Sequence, residues 1–115
     1  MLAQCFWFIY FGCLKILINP KFVIEREIPN AGKLSVADLK AISQKSCGVI
    51  GNFAPSIQWV ESFVTEDKIY CIYLTPNKAL LKEHAKQGDF PANRIEEVSN
   101  VISAVTTTYT FNGIY

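Results

Sequence analysis

One histidine and four cysteines are the side chains of this 115-residue chain best suited to chemistry near neutral pH. The histidine, His84, lies in the stretch LLKEHAKQGDFPANRI, Leu80 to Ile95. A transition-metal ion accepts imidazole nitrogen, thiolate sulfur and carboxylate oxygen. The candidate metal ligands are therefore His84, Cys71 and Cys47, together with several carboxylates. Cys5, Cys13, Cys47 and Cys71 form no C-x-x-C pair, which argues against a zinc ribbon or a thioredoxin-type dithiol. Reduced thiols in a cytoplasm are the simplest reading of that usage.

Two readings of His84 stand side by side. It follows Leu80 by four residues and Leu81 by three, so its ring sits at the border of a helix's buried stripe. There it is either a hydrogen-bonded histidine at the edge of a core or a nitrogen donor to a metal. No second histidine supports the second reading, and Glu83 is turned about 100° away round the helix. Cys71 falls in a strand between Tyr70 and Ile72, and Cys47 within a helix, where buried, inert thiols are the default. The sharper alternative is that Cys71 and His84 converge where the helix crosses the sheet, as a soft metal or nucleophilic pair.

Three carboxylates pose a separate question. Alternation along a strand puts Glu61 on the face of Trp59 and Phe63, where a carboxylate is costly unless paired or hydrated; Arg26 and Arg94 are the candidate partners. Glu25 and Glu27 belong either to a solvated rim or to the lining of a cavity in a dimer, together with Trp59, Glu61 and Tyr70. There is no G-x-S-x-G, P-loop, dinucleotide glycine pattern or H-E-x-x-H, and nothing positions a serine beside His84. No organic cofactor is expected, and the chain reads as non-enzymatic.

These residues need elements to hold them. KFVIEREI places Phe22, Ile24 and Ile28 on one side of a strand, against Val23, Glu25 and Glu27 on the other. After a Pro29-Asn30-Gly32 break, Ser35 and Asp38 form a capping pair for a helix whose apolar face is Leu39, Ile42, Val49, Ile50 and Phe53. SIQWVESFVTEDKIYCIYLTP reads as a hairpin turning at Glu66-Asp67. A second helix, KALLKEHAKQ, starts after Pro76-Asn77 and is closed by Gly88. IEEVSNVIS fits a helix nearly as well as a strand, and topology favours the strand.

The order β-α-β-β-α-β is that of an α+β, ferredoxin-like split sandwich, with both helices on one face of a four-stranded antiparallel sheet. The other face carries Trp59, Phe63, Tyr70 and Ile72, an apolar load that predicts a homodimer packed sheet to sheet. With half its residues apolar, the chain has room for one such domain, assigned to residues 20–106. Residues 1–19 are an apolar extension outside it, and 107–115 a tail or extra edge strand. The extension is shorter than the roughly 20 residues a membrane helix needs, and it lacks the charged start of a signal peptide. Only its use as an anchor would bring in a membrane. A net charge of +1 without a basic stripe argues against nucleic acid.

The blocks KFVIEREIPNAGKLS, WVESFVTEDKIYCIYLTP and EHAKQGDFPANRI resemble, in order and spacing, a family of small ferredoxin-like proteins long classed as a domain of unknown function, for which nickel binding is described. The resemblance runs from about Pro20 to Thr106 and implies a dimeric α/β sandwich with a role in nickel sequestration or detoxification. NPKF stands where such proteins begin MPKF, so the first 18 residues lie outside it. The competing expectation, by analogy of fold, is a dimeric α/β-barrel binder or enzyme of the monooxygenase or isomerase kind, with its cavity between sheet and partner.

Overall fold

The computed structural model describes residues 19–105; the expectations for residues 1–18 and 107–115 lie outside them. The order of elements is β1 (Lys21–Glu27), a 3-10 turn (Ala31–Lys33), α1 (Val36–Ile50), β2 (Gln58–Val64), β3 (Lys68–Leu74), α2 (Lys78–Gly88) and β4 (Arg94–Glu97). The strands form one antiparallel sheet in the order β2-β3-β1-β4. This is the α+β arrangement expected of a ferredoxin-like fold.

Strand alternation decides which side chains the helices meet. In β1 every second residue is buried, namely Phe22, Ile24 and Arg26, and in β3 Ile69, Cys71 and Tyr73. The aliphatic ones pack with Ile50 of α1, Leu81 of α2, Ile57 and Ile95 into a single core. Arg26 continues the same row. The period of two that carries Phe22 and Ile24 inward carries a guanidinium inward as well.

Helix α1 opens with the expected capping pair. Asp38 N–H donates to Ser35 Oγ at 3.0 Å, and Ser35 N–H donates to the Asp38 carboxylate at 3.1 Å. Such a box is worth about 1 kcal/mol by satisfying donors the first turn leaves unpaired. The helix is buried only in its C-terminal half, at Ser46, Cys47 and Ile50. Leu39 and Ile42 are half-buried, and with the sheet they border a cavity.

Two local features differ from the sequence expectation. The register of β2 against β3 slips between Trp59 and Glu61, a bulge at Val60. Trp59 is then opposite Tyr73 and Ser62 opposite Cys71, on the helix side, whereas Glu61 and Phe63 pair with Ile72 and Tyr70 on the open side. Glu61 therefore does not share a face with Trp59, because one extra residue inverts the alternation.

At the end of α2, Gly88 is the last helical residue and Asp89 is the cap, left-handed at φ 53°. The chain doubles back so that Phe90 N–H donates to Ala85 O at 2.8 Å. A Cβ on Gly88 would overlap the Phe90 ring. Glycine is required there for contact with Phe90 rather than for backbone conformation.

Candidate functional site

The side chains with chemical potential converge under α2, at the inner face of β1 and β3. Arg26 is at the centre and is 4% exposed. Its Nε donates to Cys71 Sγ at 3.4 Å, its Nη1 to Pro91 O at 2.6 Å and its Nη2 to the Tyr73 hydroxyl at 3.3 Å. The Phe90 ring caps the guanidinium at 5.2 Å and also meets Lys45 Nζ at 5.0 Å. The loop carrying Phe90 and Pro91 is fixed to β1: Asn93 N–H donates to Glu25 O at 2.9 Å, and Glu27 N–H to Asn93 Oδ1 at 2.7 Å.

His84 is fully buried, not at the border of the helix stripe. Its ring lies against Phe90 at 5.6 Å, Tyr73 at 5.4 Å and Phe53 at 6.4 Å. Neither ring nitrogen has a well-formed hydrogen bond, although the Ser46 backbone lies beside the ring. Burial and then the Arg26 charge lower its pKa to about 4. At neutral pH the imidazole is therefore uncharged and keeps a free lone pair.

Burial pushes the Tyr73 hydroxyl up to about 12, with Cys71 raising it further and Arg26 only partly opposing that. Burial works against the Arg26 charge too, but Tyr73 and Cys71 outweigh it and hold its pKa above the ordinary value. Among the described residues, Arg26 is in no ion pair with a carboxylate. It is not the partner of Glu61, because the two lie on opposite faces of the sheet. Arg94, the other candidate partner, bonds Glu96 at 2.7 Å instead.

The structure brings Cys71 and His84 into one cluster, each next to both Arg26 and Tyr73. Cys71 is a free, buried thiol. Cys47 is buried on α1 and its sulfur is already in a disulfide, so the expectation of reduced thiols departs there. Among the described residues no group of three or more His, Cys, Asp and Glu side chains could hold a metal ion.

The five side chains expected to line a dimer cavity divide between the two faces. Glu25, Glu61 and Tyr70 share the open face, and Glu25 accepts from Lys68 Nζ at 3.1 Å. Glu27 is exposed at the end of β1. Trp59 is on the helix side, where its Nε1 donates to Ser62 Oγ at 2.9 Å.

Arg26, which sequence reasoning offered only as a partner for Glu61, is instead the centre of the buried cluster. The signal was present in the spacing, since Arg26 stands two residues beyond Ile24 in a strand whose inward row is Phe22, Ile24 and then this arginine.

A cavity of about 160 Å³ opens beside the cluster, between α1 and the sheet. Leu39, Ile42, Trp59 and Ile69 supply apolar wall, and Arg26 and Ser46 are polar groups on it. Ser46 Oγ is buried beside the Tyr73 hydroxyl without a well-formed hydrogen bond. Among the described residues, no helix is long and apolar enough to cross a membrane.

Comparison with known proteins agrees with this architecture. The family described as nickel responsive protein SCO4226-like matches residues 22–98, more than half of the chain. The crystal structure of SCO4226 from Streptomyces coelicolor A3(2) superposes with a TM-score of 0.62 at 14% identity, covering 71% of this chain and 99% of that one. At that identity the likeness speaks for the fold. No curated protein matches the chain.

Proposed function

Because the chain belongs to the SCO4226-like family of nickel responsive proteins, we propose that it binds nickel as cargo, for sequestration or detoxification, and has no catalysis of its own. The observation that carries the reading is His84: a buried imidazole, uncharged at neutral pH, with the Ser46 backbone beside it but no well-formed hydrogen bond at either nitrogen. A ring in that state has the lone pair a nickel ion takes.

The rest of the cluster fits a metal less well. Cys71 is covered by a guanidinium, Cys47 is in a disulfide, and the Arg26 charge repels a dication. In this proposal His84 is therefore one donor of a site completed by groups outside the cluster, and Cys71 joins it only if Arg26 moves away. The homodimer is part of the same proposal. Tyr70 and Ile72 are half-buried and Phe63 is 52% exposed on the open face, where a second copy would cover them.

Calorimetric titration of the full chain with nickel tests the reading, with His84→Ala measured beside it. Binding near one ion per chain, weakened at least tenfold (about 1.4 kcal/mol) by the substitution, is expected. Unchanged affinity with a lowered melting temperature would remove His84 from the ligand set. A wild-type chain that takes up no nickel would remove the function. The α/β-barrel alternative needs its cavity on the open face, and the cavity described above lies on the other one.

A further inference from the structure

Arg26 presents an imbalance that nickel does not explain. Taking a guanidinium out of water costs several kcal/mol unless an anion or a full set of hydrogen bonds replaces the hydration. Its three bonds, to a sulfur, a carbonyl and a hydroxyl, use three of its five N–H groups. Neither ion pair among the described residues includes it. The charge is nonetheless kept, at the wall of a cavity.

A second observation points the same way. Ser46, 6% exposed, lines the cavity from the α1 side, and its hydroxyl, beside that of Tyr73, has no well-formed hydrogen bond. Most of the remaining surface is apolar, with Ile28, Leu39, Ile42, Trp59 and Ile69 on it, and Ser43, Ser62 and Tyr73 add hydroxyls that already have partners. An apolar cavity of about 150 Å³ admits a benzene ring, and this one measures about 160 Å³. One buried cation, one buried hydroxyl whose neighbour is the Tyr73 hydroxyl and a ring-sized, mainly apolar wall match a small amphipathic anion.

We propose that the cavity between α1 and the sheet binds a small aromatic carboxylate, its carboxylate on the spare N–H groups of Arg26 and the Ser46 hydroxyl, its ring between Leu39, Ile42 and Trp59. A charge-assisted pair of this kind is about twice as strong as a neutral hydrogen bond, so the site discriminates by charge at constant shape. The half-buried Leu39, Ile42 and Ser43 of α1 form the rim, and the loosely packed first half of that helix is the side from which a ligand enters.

The test uses the full chain and three probes of one size: benzoate, benzamide and benzyl alcohol. Two-dimensional ¹H–¹⁵N spectra should show benzoate shifting the Trp59 indole N–H and the Ser46 and Ser62 amides in a saturable manner. The affinity for benzoate should exceed that for either neutral probe at least tenfold. Ile42→Phe, which fills the cavity and leaves Arg26 alone, should abolish the shifts while the rest of the spectrum keeps its dispersion. Arg26→Met, if folded, should equalise the three probes. Equal binding of all three by the wild-type chain would overturn the carboxylate assignment, as would saturable benzoate shifts that survive Ile42→Phe. Absence of any saturable shift would overturn the site itself.

Discussion

At the scale of single residues, the state of His84 makes a prediction of definite sign. Its pKa falls from 6.5 in an unfolded chain to about 4 in the fold, so between those values the unfolded state binds more protons than the native one. Stability is then fully present above pH 6.5 and is lost as pH falls towards 4. At about 1.4 kcal/mol per unit, the loss approaches roughly 3 kcal/mol. Urea midpoints measured from pH 7 to pH 4 should fall more steeply for the wild type than for His84→Leu, which has no ring to protonate. Parallel slopes would show that the imidazole is not the group responsible. The leucine variant should also be no less stable at pH 7, because exchanging an unsatisfied polar group for an apolar one of similar size is near neutral.

At the scale of elements, the turn after α2 controls the cluster, because it carries Phe90 back over His84 and Arg26. Gly88→Ala puts a methyl into the space of that ring. The expected cost is about 2 kcal/mol, as for other overpacked sites, and thermal melting would read it. The diagnostic readout is the Phe90 ring resonances, which should lose their upfield ring-current shifts; a variant with unchanged shifts and melting temperature would show that the contact is not tight.

Most of this architecture was legible in the sequence. The sequence of elements, the Ser35–Asp38 cap and the hairpin follow from alternation, capping chemistry and turn residues, which act within a few positions of each other. Trp59 was misplaced because a bulge leaves no residue-type signature in QWVESF. Gly88 reads as a cap from its type alone, and its contact with Phe90 appears only when the chain folds back. The candidate site was legible in part. His84 was recognised by type, but its complete burial depends on Phe53, Tyr73 and Phe90, which arrive from three other segments.

At the scale of the whole molecule, the sheet has one face under helices and one carrying Tyr70, Ile72 and Val23 at its centre, with Phe63 and Glu61 towards the β2 edge. Glu25 and Lys68 form an ion pair there with both side chains partly exposed. A second copy laid over this face would bury the apolar centre and leave the charges at the rim, the usual anatomy of an interface. Light scattering on the full chain should give twice the mass of one copy, and Phe63→Arg should halve it with little loss of melting temperature. A wild-type monomer would end the proposal of a sheet-to-sheet pair.

The slip in β2 has a consequence for what this surface can attract. Among the described residues β2 is an outermost strand, and Val60, Phe63 and Val64 on it are exposed. A flat strand of that composition would invite another extended polypeptide to hydrogen-bond along it and begin a fibre. Val60, the extra residue in the pairing of β2 with β3, breaks the even spacing of peptide groups that such growth needs, and a bulge of this kind increases a strand's local twist. The irregularity that turns Trp59 inward thus also guards the molecule against amyloid-like assembly along its edge.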